Sequence, residues 1–503
     1  MEFSKFINRY KTKLNQLFNE EDDIDEISLS RGLPHDIFQE VMECQPLSVF
    51  IPEEYGGRGG HTYEALSMLE ASSYQSLPLS LMMGINGALF LQPVVNYGSE
   101  EVKQPIFDRF LKEKNMGGLM ITEPDFGSDA LRMETSFEKM TEENSNTYKI
   151  QGTKHWAGLT GAADFWLITA RRKSGKGKLG RDIGFFIHDS KRGGIEVEEY
   201  YKNLGLYMLP YGRNKININV PEEYRLNPRS TGIKMMLDVL HRSRLQFPGM
   251  GNGFLKRMMV EGITHCKQRS VGGQSLFNYD QVKKRLNKLQ SSFTICSAMC
   301  AFTSNNVPIH KDVSGMDIAA NAIKTYTTDL MQQAAQSLLQ LTGAKGYRLD
   351  HIAGRALIDS RPFQIFEGSN DILYQQISES VLKRMRRLKL KNLSNFLSDF
   401  TLTERASDYF SEMLDFKIDQ KLAQDRLVEL GRILSRVISL EFTLRLSDKG
   451  FNQKMIENTI QTLQAEVEQM VTSFISKNTP DVVEDYEESS SWLEFMTPKY
   501  AGS

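Results

Sequence analysis

Apolar residues fall into three successive rhythms along this chain. Up to about residue 118 they recur at steps of three and four. Ile37, Val41 and Met42 follow the start signals Ser30 and Pro34, Leu66 and Leu69 follow the punctuated loop VFIPEEYGGRGGHTYEAL, and Glu100 to Leu111 is amphipathic; this part reads as helices. Between about 120 and 222 the rhythm shortens. GLMITEP, YKIQGTKHWA, DFWLITARR, IGFFIHD, GIEVEEY and NKININV are β-rich or alternating runs separated by polar turns, which predicts a compact antiparallel β domain. After Asn227–Pro228 the helical period returns and lasts to about 390. About four long helices are expected there, with breaks at Pro248 and around Asn305 to Pro308, and GMGNG supplying close-packing or loop residues.

Two stretches depart from simple amphipathicity. LSLMMGINGALFLQPVV, Leu79 to Val95, is apolar on every side, as a fully buried helix or the wall of an apolar ligand channel would be. Near the C-terminus, Leu427, Leu430, Leu434, Val437 and Ile438 mark one amphipathic helix. Ile456, Ile460, Leu463, Val467, Met470 and Phe474 form a heptad seam, expected to pack on its own protein. The tail after Pro480, DVVEDYEESSS, is acidic and expected to be mobile.

These rhythms predict a mainly α chain with a β middle domain. Four units are expected: 1–118, an N-terminal helical domain; 119–228, the middle β domain; 229–390, a helical bundle; and 391–503, a helical extension with an acidic tail. The order helical, β, helical departs from the βα alternation of dinucleotide-binding sheets, and GMGNGF lacks the GxGxxG spacing. Composition changes this picture little. At 503 residues, 40% hydrophobic and 25% charged, the chain is an ordinary globular protein too long for a single core. A net charge of -2 gives no reason to expect nucleic acid or an anionic membrane as partner. No stretch approaches roughly 18 to 20 uninterrupted apolar residues, so no membrane span is expected. The N-terminus lacks an apolar h-region and soon turns acidic, from which cytoplasmic localisation is expected. Four cysteines are too scattered for a disulfide framework, and Cys296 and Cys300, on one helical face, read as small core residues. The eight histidines show no ligand spacing, so no metal is predicted. The basic run RRKSGKGKLGRD, Arg171 to Asp182, lacks aromatics and the GK[ST] of a P-loop, and reads as a solvated hairpin loop.

The candidate chemistry lies in QIFEGSNDIL, Gln364 to Leu373. Glu367 follows the apolar pair Ile365 and Phe366 and precedes Gly368, a setting that desolvates the acid and suits a general base. An isolated glutamate at a helix start more commonly compensates the helix dipole or faces solvent. The β domain opens with ITEPDFGSD, Ile121 to Asp129, where Thr122, Gly127 and Ser128 offer hydroxyls and unobstructed amides for a ring edge or a phosphate. A later strand carries GTKHWAG, Gly152 to Gly158, whose Trp156 offers a π face. Either motif alone reads as a turn or a core tryptophan.

Together with QLTGAKGY, Gln340 to Tyr347, RALIDSR, Arg355 to Arg361, and EGSNDI from Glu367, these motifs resemble the acyl-CoA dehydrogenase family in order and spacing, over roughly residues 30 to 385. The resemblance implies an N-terminal helical domain, an antiparallel β-barrel-like middle domain and a C-terminal four-helix bundle, here followed by a helical extension placed like that of the larger, long-chain-acting members. It implies FAD as cofactor, held between the domains and across the subunit interface of a homodimer or homotetramer. The implied reaction is α,β-dehydrogenation of an acyl-CoA or a carrier-bound acyl thioester to a trans-2-enoyl thioester. Glu367 would take the α-proton, flavin N5 would accept the β-hydride, and an electron-transfer flavoprotein is an expected acceptor.

Residue by residue, Thr122, Ser128 and Trp156 match the family's flavin-side motif, while Arg269 and Gln340 match residues that reach the FAD of a neighbouring subunit. Gly343 keeps a close approach, Gly158, Ser369 and Asp371 fall at cofactor-binding positions, and Arg244 and Gly368 at substrate-binding ones. Some relatives carry the base just before the arginine matching Arg244. Here that position is Ser243, which leaves Glu367 as the candidate. Three departures stand out: the usual W-I-T reads Trp156, Ala157, Gly158; RxxFG reads Arg269, Ser270, Val271, Gly272, Gly273; and the Gly-Gly pair reads Gly343, Ala344. They leave open an oxidase or monooxygenase on the same scaffold, or a flavin-binding member without catalysis.

Overall fold

In the computed structural model, which describes residues 1–21, 23–140, 146–174, 177–419, 421–476, 481–488 and 490–495, the first rhythm becomes helices that include Phe3–Asn15, His35–Glu43, Thr62–Gln75 and Glu100–Lys112. The apolar stretch forms one helical run: Leu77–Gly84, a π-helical Ile85–Leu91, then Gln92–Tyr97. Leu77–Tyr97 is long and apolar enough to cross a membrane by length and composition, but 94% of its apolar window is buried inside the protein, as the buried-helix reading expects.

The middle region is a seven-stranded sheet of β1 (Gly117–Met120), β2 (Ser136–Lys139), β3 (Thr147–Gly158), β4 (Phe165–Lys173), β5 (Leu179–Asp189), β6 (Ile195–Tyr200) and β7 (Tyr211–Pro221). The order is β1-β4-β2-β3-β7-β6, with β5 pairing β4. The pairing is antiparallel except at β4, which lies parallel to both β1 and β2. Neither strand is joined to β4 by a hairpin, so connection length permits the parallel register. Of the basic run, Arg171 to Lys173 end β4 and Leu179 to Asp182 begin β5, which pair antiparallel, while residues 175 and 176 at its centre lie outside the described residues.

Four long helices follow: Gly232–Gln268, Asp280–Asn306, Asp317–Thr342 and Asn370–Leu388, the first to fourth bundle helices. The first runs for 37 residues straight through Pro248, where a break was expected. Neighbouring backbone explains the correction. Gly249 and Gly253 seat against Leu66 and Glu70 of the Thr62–Gln75 helix, where any Cβ would collide, and the Pro248 carbonyl accepts the Cys296 thiol at 3.3 Å. Packing at this contact outweighs the proline penalty of about 3 kcal/mol.

Two further long helices, Gln424–Ser447 and Gln453–Ile475, belong to the extension. The seam residues Ile456, Leu463, Val467 and Phe474 are buried, and their helix packs on Gln424–Ser447 and on the second bundle helix. RALIDSR staples the parts together: Arg355 pairs with Asp25 at 2.5 Å, and Asp359 accepts the Leu206 amide at 2.5 Å. Burial pushes Asp359 up to about 6.

Candidate active site

Glu367 precedes the fourth bundle helix by a tight turn in which its own φ is +54° and that of Gly368 is +93°. A left-handed non-glycine residue costs about 1–3 kcal/mol and persists only where its surroundings hold it. Two buried cations do so here. Arg244 Nε donates to the Glu367 carbonyl at 3.0 Å, and Lys324 Nζ donates to the Gly368 carbonyl at 2.8 Å. Arg244 is fixed in turn by Asn321 at 2.9 Å and Lys324 by Asn370 at 2.9 Å. A Cβ on Gly368 would stand 2.9 Å from Leu373 and 3.2 Å from the Arg244 guanidinium, so the turn needs glycine.

The turn presents the Glu367 carboxylate to Ser243, whose Oγ donates to Oε1 at 2.7 Å. Oε2 is buried and has no hydrogen-bond partner among the described residues. Burial pushes this carboxyl above the ordinary glutamate range, against the Ser243 hydroxyl and the Arg244 and Lys324 charges, which pull it down. Burial also lowers Arg244 to about 10 and, with the Arg244 charge beside it, Lys324 to about 7. Arg244, expected on the substrate, thus engages Glu367 and Asn321.

Tyr211 of β7 links the carboxylate to the strand that carries GTKHWAG. Burial, and secondarily the Glu367 charge, raise its phenol, and its ring lies 6.3 Å from that of Trp156. Trp156 is the bulged residue where β3 and β7 slip register between His155 and Ala157. Its φ of +55° turns the indole outward, 52% exposed and 4.5 Å from the Tyr201 ring. The Thr122 carbonyl takes the His155 amide at 3.0 Å, tying the ITEPDFGSD loop to the same point. Ser128 is exposed on that loop, and Gly127 beside it has open space around it. Gly158 is buried, and a Cβ there would stand 2.7 Å from Ile85 Cδ1.

A second group lies elsewhere. Arg269 ends the first bundle helix, and Gln340 and Gly343 end the third; all three are exposed. His265 senses the Arg269 and Lys345 charges and bonds the Leu341 backbone, so these helix ends are neighbours. Arg269 is about 37 Å along the helix from Arg244, so one chain keeps this group apart from Glu367. Gly272 and Gly273, with φ of +57° and +81°, form the two-residue turn between the short strands Ser270–Val271 and Gln274–Ser275. That turn accounts for the missing aromatic of the RxxFG element. Ser369 is half-buried at the head of the fourth bundle helix, whereas exposed Asp371 turns away to Arg432 of the extension at 3.0 Å.

Sequence reasoning passed over Ser243's bond to Glu367, Lys324, and a buried ion pair. Glu123 and Lys154 meet at 2.8 Å inside the sheet, where Lys154 also donates to the Ile121 carbonyl at 3.1 Å and burial lowers it to about 8. The lysine of GTKHWAG and the three acidic residues of ITEPDFGSD were the available signal.

Residues 12–114, 118–217 and 230–382 match the N-terminal, middle and C-terminal domains of acyl-CoA dehydrogenase. An acyl-CoA dehydrogenase of Bacillus subtilis (strain 168) is 24% identical over 354 residues, 69% of this chain and 90% of the relative. The mouse mitochondrial very long-chain specific acyl-CoA dehydrogenase is 21% identical over 376 residues; the match takes in 74% of this chain but 57% of that protein. Butyryl-CoA dehydrogenase from Megasphaera elsdenii has a similar structure, with a TM-score of 0.66 at 18% identity over 76% of this chain and 99% of that one. The acyl-CoA dehydrogenase complexed with FAD from Bacillus anthracis reaches 0.75 at 17% identity, over 95% and 89%. Members of the family are FAD-dependent oxidoreductases acting on CH–CH bonds. With all three domains matched in order along a fold of the same architecture, this chain belongs to the acyl-CoA dehydrogenase family.

Proposed function

We propose that the protein dehydrogenates an acyl thioester between its α and β carbons, giving a trans-2-enoyl thioester, with Glu367 removing the α-proton. The carboxylate's own state carries this reading: Oε1 is tethered by Ser243, Oε2 is buried without a partner, and burial raises its proton affinity. A thioester α-proton is weakly acidic, so a carboxylate takes it only where water is excluded and the enolate-like charge is met by donors. Arg244 and Lys324 hold the base in place through the two carbonyls of its turn.

The residues fit FAD on one observation, the outward-turned Trp156 indole together with the unobstructed Gly127 backbone on the loop that the Thr122 carbonyl ties to His155. Thr122, Ser128, Trp156 and Gly158 would hold it on one subunit, near Ser369 and Asp371, with Arg269, Gln340 and Gly343 contributed by a neighbouring subunit of a homodimer or homotetramer. When bound, FAD supplies the two-electron acceptor for the β-hydrogen, and an electron-transfer flavoprotein would reoxidise it. The test is Glu367→Gln. Anaerobic bleaching of the flavin by an acyl thioester should slow by about a hundred- to ten-thousandfold while FAD stays bound; unchanged bleaching overturns the assignment. A panel of chain lengths on CoA and on a carrier protein identifies the substrate. An oxidase reading has Gly158 in its favour, and oxygen uptake with peroxide release would select it.

A further inference from the structure

Behind the Glu367 turn, a line of side chains runs from the bundle into the extension. Lys324 Nζ, which holds the Gly368 carbonyl, also donates to Asn370 Oδ1 at 2.9 Å. Asn370 Nδ2 donates to Asp329 Oδ1 at 2.8 Å, and Tyr374 Oη donates to Asp329 Oδ2 at 2.6 Å. Arg436, on the Gln424–Ser447 helix, donates from Nη1 to Tyr374 Oη at 3.1 Å. Charges alternate along the line, from Glu367 through Lys324, Asp329 and Arg436 to Glu466, whose Oε2 lies 3.4 Å from Arg436 Nε.

Arg436 is 3% exposed, with its guanidinium 4.0 Å over the Tyr326 ring. A buried guanidinium is costly unless its donors meet acceptors, and helix packing alone does not call for one. The contact beside it is rigid. Gly431 lies so close to the Tyr374 backbone that a Cβ would collide with the Tyr374 carbonyl, and Arg432 covers the Tyr374 ring at 5.6 Å.

We propose that Arg436 is a positioning residue for Glu367: by holding Tyr374 against Asp329 it fixes Asn370, Asn370 fixes the Lys324 ammonium, and that ammonium holds the carbonyl that shapes the base's turn. The extension is then part of the support of the base, and the inference rests on the reading of Glu367 as that base. Glu367 is faced by Ser243 and Arg244 of the first bundle helix, Lys324 of the third and Tyr211 of β7. Lys324 is faced by Arg244, Glu367 and Asp329, and Asp329 by Gln364, Asn370, Tyr374 and Arg436. Asn370 is also held by the Thr325 carbonyl at 3.1 Å and the Thr328 hydroxyl at 2.9 Å, so what Lys324 loses when Asp329 is loosened is the nearby Asp329 charge that favours its charged form. A neutral Lys324 no longer pulls Glu367 down, and the carboxyl titrates higher.

Infrared titration of Glu367 in the FAD-loaded enzyme without substrate tests this, its carboxyl band being the one absent from Glu367→Gln. In Tyr374→Phe, which keeps the ring packed on Gly431 and Arg432, and in Arg436→Lys, the midpoint should rise by about half a pH unit or more. In turnover, kcat should fall about tenfold with KM held within about twofold. Arg405→Lys, which alters an exposed pair with Asp448 elsewhere in the extension, should leave the midpoint where it is. An unmoved midpoint in Tyr374→Phe overturns the proposal whether or not Arg436→Lys folds, and so does an equal shift in Arg405→Lys. The readout needs no turnover, so a failure of the base assignment shows separately, as undiminished bleaching in Glu367→Gln.

Discussion

Ile85 occupies the space that a side chain at position 158 would need, its Cδ1 2.7 Å from where a Cβ would stand. The hydroxyl missing from Trp156-Ala157-Gly158 has therefore been replaced by packing. Gly158→Thr alone makes Ile85 move that terminal methyl aside and should cost about 1 kcal/mol, whereas adding Ile85→Ala reopens the room. A double-mutant cycle in denaturant should show a coupling of about 0.5–3 kcal/mol, and additive effects would refute the account. Glu367 acts on stability in the direction opposite to a salt-bridged carboxylate. Its folded pKa is raised above an unfolded value of about 4.3. Between the two values the native state binds more protons than the unfolded chain, so stability falls as pH rises through that window and stays lost above it. Gln at 367 is neutral throughout and still accepts from Ser243. Glu367→Gln should therefore raise Tm at pH 7 and leave it unchanged below about pH 4. Melting curves at both pH values decide the matter, since an equal gain at both would point away from ionisation.

Among the elements, the β3 bulge and the loop after β1 meet at the Glu123–Lys154 pair, which ties ITEPDFGSD to the strand that presents Trp156. Removing one partner strands a buried charge. Lys154→Met should cost about 3–5 kcal/mol, and Glu123→Gln with Lys154→Met should recover only part of it, because the two Glu123 oxygens also accept the Glu134 and Thr135 amides and a glutamine can accept only one of them. Denaturant midpoints of the two variants give the comparison. Element types were legible in the sequence wherever one face is buried along a whole element, as in Glu100–Lys112 or the alternation of β7. Four-residue β2 is too short to display a period, and Pro248 misled because a local rule about proline does not see Gly249 and Gly253 seated on another helix. Glu367 became a candidate through the company of the distant TEPDFGSD, KHW and QLTGAKGY motifs, since its apolar neighbours alone do not mark it. Its holders Ser243 and Lys324 stand 124 and 44 positions from the groups they bond, and no local pattern marks them.

At the scale of the molecule, the first bundle helix separates two half-sites, Ser243 and Arg244 with Glu367 near one end and Arg269 at the other, about 37 Å on. No side chain spans that distance, so if both halves serve one flavin they come from different subunits. Two damaged chains should then repair each other. Arg269→Glu should keep the base and release FAD, while Glu367→Gln should keep FAD and lose the base, so each is inactive alone. In a two-fold dimer built from one of each, one of the two sites draws both residues intact. Random assembly from equal amounts makes about half of the dimers mixed, so about a quarter of wild-type bleaching activity should return after the proteins are dissociated and reassembled together. Differently tagged chains show whether mixed dimers have formed. Mixed dimers without activity would place Arg269 outside the site that contains Glu367, whereas recovery that depends on mixing assigns the two half-sites to opposite subunits.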